Sequence, residues 1–402
     1  MVYVVFSYFV ILFLFVKKRF LGITSYLVGV YTFSLFFSVW LYKSELQFQH
    51  ASFLPSVIFC LTLLLYFIPF FKKELRIVES TNSKFIRRFC LLGYVVSGVL
   101  LIGSLFLLSK IQEVFAYGLV NSRISMYRGV EIFNSYSTKE HIGHSILKWL
   151  CGLSYSVMIL FFYAASFIRK KVLLKSLLIL SSLSATYLGL LVGGRTNLIY
   201  WVLFFIFCVI IFSPYLPKKS KRLIFLTSLV LFSLIGSYFI FITIGRAEYG
   251  HGGEAGLFLI TYIGQPYLNF CYFLDNLHYH PYTLYRIFPL TSTTLLGRFN
   301  LADYRDLIEA NSQMDIGIFY TLLGDFFVDV GLVGMLIYSI AYYVVAKRVM
   351  KRRVFNLSNL LIVGMLYQIP LHGIFYYSFW KIESSVCVLL TVLMSKYLYI
   401  KK

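Results

Sequence analysis

The side chains that could do chemistry in this chain are a scattered set of arginines, a few histidines and two closely spaced aspartates. Arg123, Arg128, Arg195, Arg246 and Arg286 lie outside the strongly apolar runs. The planar guanidinium fork matches two oxygens of a phosphate, so such a set suits a phosphorylated ligand. Arg195 sits in Gly193-Gly194-Arg195-Thr196-Asn197. The glycines free the backbone there, Thr196 or Asn197 can cap the next helix, and the amides at that helix start favour an anion. An ordinary hairpin with a snorkelling arginine is the structural alternative. His278 and His280 flank Tyr279 and follow Asp275, while His251 lies in the flexible run Tyr249-Gly250-His251-Gly252-Gly253. A neutral imidazole near a carboxylate is suited to taking a proton from a hydroxyl, although solvated loop histidines would read the same. Asp325 and Asp329 are one helical turn apart in an apolar run, where a carboxylate is costly and defaults to function. Gly324, Gly331 and Gly334 around them allow close helix approach, which is the structural alternative. His141 and His144 could share a helix face, but two ligands without a partner motif do not make a metal site. Neither a metal nor a cofactor is expected.

The elements that must position these residues are membrane spans. A chain of 402 residues with 59% hydrophobic and 13% charged residues has a mean hydropathy of +0.80, which excludes a soluble domain. Its apolar runs are roughly 17–25 residues long, enough to cross a hydrocarbon core of about 30 Å. The net charge of +21 would suggest a nucleic-acid partner in a soluble protein. Here the lysines and arginines gather at the ends of alternate apolar segments: Lys17-Lys18-Arg19, the stretch 72–88, Arg169-Lys170-Lys171, 218–222, 347–353, Lys396 and Lys401-Lys402. With all of them on the cytoplasmic side, the chain threads as about eleven spans, its N-terminus outside and its C-terminus cytoplasmic. The basicity is then a topological signal with attraction to anionic membrane lipid, and no nucleic acid is implied. The six cysteines stand singly, without a CxxC pair, and read as small apolar filler.

The sequence predicts one all-α integral membrane domain over residues 1–402. A weak first segment covers 2–16. Spans follow near 20–42, 53–71, 89–109, 149–168, 176–193, 196–213, 223–244, 316–346, 355–373 and 380–397. Two long stretches fall outside: 110–148 and the large loop 245–315, in which aromatics such as Tyr262 argue for order. Residues 256–274 are apolar enough to resemble another span, but a crossing there would place the 347–353 cluster outside. Gln265-Pro266 also argues against a plain helix. The segment is therefore expected to be interfacial or re-entrant, with a broken backbone lodged in protein or a wet cavity.

The short Gly193-Gly194-Arg195-Thr196 turn, the run Tyr262-Ile263-Gly264-Gln265-Pro266 in the large loop, and Phe319-Tyr320-Thr321 through Gly324-Asp325 to Gly334 together resemble bacterial oligosaccharide repeat-unit polymerases. These are the Wzy-type O-antigen and capsule polymerases of the inner membrane. The resemblance spans the C-terminal half in motif order and the whole chain in hydropathy. It implies a GT-C-like helical bundle whose outward cavity binds undecaprenyl-pyrophosphate-linked oligosaccharide, and a glycosyltransferase working without metal or nucleotide sugar. A flippase and a chain-length regulator are the partners it implies. In those terms Arg195, Arg246 and Arg286, with Arg123 and Arg128, hold the pyrophosphate. His278 or His280, with His251 next, deprotonates the acceptor hydroxyl. Tyr262 and Asp325 belong to the substrate site. The sister O-antigen ligase shares the layout and differs only in acceptor. A polysaccharide flippase or other transporter is the alternative of another class, against which the lack of an internal repeat counts.

Overall fold

The structure, a computed structural model, describes residues 1–19, 22–44, 49–71, 75–80, 82–108, 137–168, 171–191, 196–226, 255–296, 301–312, 319–379 and 381–399, with a few isolated positions between them. In chain order the helices are α1 (Val2–Arg19), α2 (Ile23–Ser44), α3 (Phe53–Phe67), α4 (Ser83–Phe106), α5 (Thr138–Leu150), α6 (Ser154–Phe167), α7 (Val172–Ser181), α8 (Ser184–Leu191), α9 (Thr196–Phe212), α10 (Ala255–Asn276), α11 (Pro289–Leu296), α12 (Leu301–Ser312), α13 (Thr321–Met350), α14 (Leu357–His372) and α15 (Ile382–Leu398). Two-residue strands at Arg76–Ile77 and Val354–Phe355 form the single sheet among the described residues. Among the described residues six helical stretches are long and apolar enough to cross a membrane: Ile23–Ser44, Phe53–Phe70, Ser83–Phe106, Thr138–Phe167, Val172–Leu191 and Thr321–Met350. Thr196–Phe212 and Leu357–His372 are shorter apolar helices. The chain is an all-α polytopic membrane protein, and most of the run expected to span at 223–244 lies outside the described residues.

The chain divides into two units. Residues 1–76, 256–354 and 366–385 make the first. Its core is aromatic: Phe9, Tyr31, Phe59 and Phe67 pack ring on ring, and Tyr66 stacks on Tyr342 at 4.5 Å. The tyrosine hydroxyls do the second half of the work. Tyr31 donates to the Pro370 carbonyl, Tyr342 to that of Leu366 and Tyr367 to that of Ile23. In an apolar medium such bonds hold helices together where hydrophobic burial supplies little. The second unit holds residues 77–255, 355–365 and 386–402. The segment read from sequence as one span at 176–193 is here two helices, broken between Ser181 and Ser184. Serines repair the break: Ser154 Oγ accepts from the Ala185 N–H, and Ser182 Oγ from the Trp201 indole. The end of the expected loop 110–148 is also helical. Ser137 and Glu140 form a capping box at the start of α5, which packs on α4 with Gly143 close to the Gly103 carbonyl.

The expectation of a broken backbone at Gln265-Pro266 is corrected. Helix α10 runs unbroken through Pro266 for 22 residues, about 33 Å at the helical rise. A proline removes one amide and crowds the carbonyl a turn earlier, which should weaken the helix at this point. Serines of a neighbouring helix bond the two carbonyls that follow Tyr262, whose own amide partner Pro266 removes. Ser34 and Ser38 of α2 donate to the carbonyls of Ile263 and Gly264 at 2.7 and 2.6 Å. Re-satisfaction by hydroxyls on an adjacent helix is how membrane helices tolerate proline. Gly264 permits the approach, since a Cβ there would lie 2.6 Å from the Phe37 carbonyl carbon and 2.8 Å from the Ser38 nitrogen.

Gly264→Ala should therefore push α10 off α2 and cost about 1–3 kcal/mol, the usual range for overpacking. Thermal unfolding of the purified protein in detergent checks this, with Gly98→Ala as the control because nothing lies within 4 Å of a Cβ at that position. Equal melting temperatures for the two variants would contradict the close contact.

Candidate functional site

The site is built on a break in α13. Gly331 has φ +67° and ψ −175°, a conformation essentially reserved for glycine. The structural alternative, in which Gly331 serves close helix approach, is thus corrected, because it interrupts its own helix. A non-helical residue at this point carries the amides of Leu332 and Val333 away from the carbonyls of Val328 and Asp329. Both carbonyls find partners in the segment 277–288. The Tyr282 N–H donates to the Asp329 carbonyl at 2.9 Å, and Nδ1 of His280 lies 3.4 Å from the Val328 carbonyl.

The Asp329 carboxylate fastens the same segment a second time. Its Oδ1 accepts from the Thr283 hydroxyl and its Oδ2 from the Arg286 backbone N–H, each at 2.8 Å. Tyr282 and Leu284 have φ of 53° and 57°, left-handed conformations that a residue with a Cβ holds only when its surroundings impose them. Asp329 supplies that imposition.

Arg286 follows directly, and only 4% of it is exposed. Its Nε stands 3.4 Å from Oδ1 of Asp325, its Nη2 donates to the Tyr320 hydroxyl at 2.8 Å, and its guanidinium carbon lies 5.3 Å from the centre of the Tyr304 ring. Asp325 is fully buried and its Oδ2 accepts the Tyr377 N–H at 2.5 Å. Tyr304, on α12, stacks in turn on Tyr285 at 5.3 Å. Burial by itself disfavours the guanidinium, but Tyr320, Asp325, Tyr304 and Asp329 together outweigh it and raise the pKa of Arg286. A guanidinium that cannot shed its proton has to be paired when it leaves water.

Beside this cluster an apolar cleft of about 780 Å³ runs along α13, lined by His278, His280, Tyr282, Phe288, Ile337 and Tyr338 among others. Val333 and Ile337 on its wall are 71% and 63% exposed, on a helix apolar enough to span a membrane. That side of the wall is suited to lipid. His280 is half-buried at the polar end of the cleft. Burial lowers its pKa below the ordinary histidine value, the Val328 and Phe327 carbonyls pull it back in part, and His278 adds to the lowering. A neutral imidazole keeps one ring nitrogen with a lone pair that can accept a proton.

Of the residues singled out from sequence, Arg286, Asp325 and His280 come together around a short stretch of α13, and His278 is exposed at the cleft. Tyr262 packs elsewhere in the unit, its ring 4.8 Å from Phe319 and 5.3 Å from Phe375. Arg123, Arg128, Arg195, Arg246 and His251 lie outside the described residues. Arg286, expected to hold pyrophosphate, is paired here with Asp325 and Tyr320, so an anion reaching it would have to displace one of them. Sequence reasoning passed over Tyr304 and Thr283, and named Tyr320 only as part of the Phe319-Tyr320-Thr321 motif. In a chain with 33 tyrosines nothing marks Tyr304. Among the described residues no three of His, Cys, Asp and Glu converge to hold a metal.

The two aspartates should respond differently to amide replacement. Asp325→Asn leaves the buried Arg286 charge without its counter-ion and should cost about 3–5 kcal/mol, the range for breaking a buried pair. In Asp329→Asn the amide oxygen can still accept from the Arg286 N–H while the amide nitrogen donates to Thr283, so the loss should be the smaller. Comparing the thermal stability of the two variants decides it, and the reverse order would refute the division of roles. Acid should also act through His280. Because folding lowers this pKa, the neutral ring's contribution is complete above the unfolded value and is lost as pH falls through the folded one. Replacing His280 with Gln should flatten that part of the stability–pH curve.

No family model matches the chain, and neither a curated protein nor a solved structure matches it.

Proposed function

We propose that this protein polymerises undecaprenyl-pyrophosphate-linked oligosaccharide repeat units on the outer face of the bacterial inner membrane. In this reading the chain is a GT-C-like glycosyltransferase of about eleven spans, with its N-terminus outside and its C-terminus cytoplasmic. The observation that supports it best is the joining, in one membrane-embedded unit, of a neutral imidazole acceptor, a buried guanidinium and an apolar cleft along a candidate span. A lipid-linked sugar substrate calls for a base for the acceptor hydroxyl and a surface for the lipid chain, and the paired guanidinium fixes the segment that carries the base.

The chemistry runs as follows. A hydroxyl oxygen of the acceptor unit attacks the anomeric carbon of the donor glycan and a new glycosidic bond forms. The bond from that carbon to the pyrophosphate oxygen breaks, and undecaprenyl pyrophosphate leaves with the bonding pair. The hydroxyl proton passes to Nε2 of His280. The pyrophosphate ligands in this reading are the arginines singled out from the sequence, Arg195 and Arg246 with Arg123 and Arg128, which lie outside the described residues. Arg286, locked to Asp325, holds the outer segment in place. Tyr262 belongs to an aromatic wall on which sugar faces can stack.

Surface glycan from a strain lacking the protein, read beside its lipid-linked pool, tests the reading. A single attached repeat unit in place of a ladder is the expected result. Long lipid-linked polymer without attachment would point to a ligase, and unpolymerised units held on the cytoplasmic face would point to a flippase; either outcome overturns the proposal. Complementation with His280→Gln should leave the protein in the membrane and the ladder absent.

A further inference from the structure

Among the described residues no carboxylate lies against the His280 ring. Asp275, the acid nearest in sequence, is exposed on α10, Asp329 is spent on Thr283 and the Arg286 amide, and Asp325 on Arg286 and Tyr377. What meets the ring is backbone. We propose that Gly331 and the Val328 carbonyl are the positioning partners of His280, the helix break doing for this imidazole what an orienting carboxylate does elsewhere.

Three observations carry this. Val328 is placed so that the break at Gly331 deprives its carbonyl of the amide one turn on, and a buried carbonyl left without a donor is costly. Nδ1 of His280 takes that position at 3.4 Å. A carbonyl oxygen only accepts, so Nδ1 must carry the proton, and the neutral ring is fixed in the tautomer with a lone pair on Nε2. The ring is also held mechanically. Phe327 meets it edge-on at 4.7 Å and Tyr282 at 6.0 Å, while a Cβ on Gly331 would lie 3.3 Å from its Cδ2. Any side chain at 331 would press on the ring and would need a backbone conformation that only glycine adopts readily. One glycine thus opens the carbonyl, clears space for the imidazole and selects its tautomer. Its importance for catalysis rests on the polymerase reading, but the arrangement itself does not.

The tautomer can be read directly. Solid-state nitrogen NMR of the full chain in bilayers, labelled at its seven histidines, gives the protonation of each ring nitrogen, and the difference from His280→Gln assigns the resonance of interest. The expected wild-type result at neutral pH is a protonated Nδ1 and an unprotonated Nε2. Gly331→Ala should lose that selection and show the Nε2-protonated form. A wild-type ring protonated on Nε2 overturns the proposal, whether or not Gly331→Ala folds. An unchanged tautomer in folded Gly331→Ala overturns the role of the glycine. Neither readout uses the glycan, so an intact glycan ladder in a strain without the protein would sink the polymerase reading and leave this one to stand or fall on the spectrum.

Discussion

A guanidinium taken out of water has no neutral form to retreat to, and the first unit is organised around that constraint. Arg286 is reached from several parts of the chain: Asp325 from α13, Tyr320 from the turn before it, and Tyr304 from α12. Tyr377 joins them through its amide on Asp325. Taking two charges into a low-dielectric interior is repaid only when geometry is good and the remaining lone pairs are satisfied. The elements that surround Arg286 and Asp325 are tied together as a result, although they lie far apart in sequence. Stability is a weak justification for such a cluster, because well-packed apolar residues would serve as well or better. Its value is in position. It sets the segment 277–288 at a defined height on α13, and that segment carries His278 and His280.

The carboxylates and the helix break are complementary devices. Asp325 takes the side chain of Arg286, whereas Asp329 takes its backbone, so one turn of helix grips both ends of the same residue. Two residues further on the helix opens at Gly331, and the carbonyls thereby exposed accept Tyr282 and His280. The left-handed backbone at Tyr282 and Leu284 is the local cost of bending the segment to reach all of these partners. Strain of this kind persists only where the surroundings over-determine it. Its concentration beside an apolar cleft distinguishes this place from the serine-repaired break in the second unit, where the described backbone carries no positive φ.

Much of the helical layout was legible in the sequence, and for a simple reason. A span needs about 20 apolar residues in succession, and that requirement is local, so the runs at 20–42, 53–71 and 316–346 announce themselves. Ser181–Ser184 was not legible, because serine is common inside membrane helices and a run of hydropathy does not register one lost turn. Pro266 misled in the opposite direction. Its effect depends on whether a neighbouring helix can repair the backbone, and Ser34 and Ser38 lie more than two hundred residues away in the chain. At the site, sequence singled out Arg286, Asp325 and His280 one by one through their chemical type. It could not pair them, since pairing across a loop leaves no periodicity to read.

Gly331 shows most plainly where such reading stops. In an apolar helix, glycines three and four residues apart signify close packing against a neighbour, and Gly331 with Gly334 has just that spacing. What separates a packing glycine from a breaking one is the backbone conformation, and conformation is decided by what waits to receive the freed carbonyls. Here the receivers are an amide and an imidazole on another segment, which is itself held by the aspartate two residues before the glycine. The break and the loop are therefore mutually dependent. Without the loop the carbonyls would draw the helix straight, and without the break neither Tyr282 nor His280 would have a backbone acceptor. An arrangement in which each half exists because of the other belongs to tertiary structure, and the glycine is its one trace in the sequence.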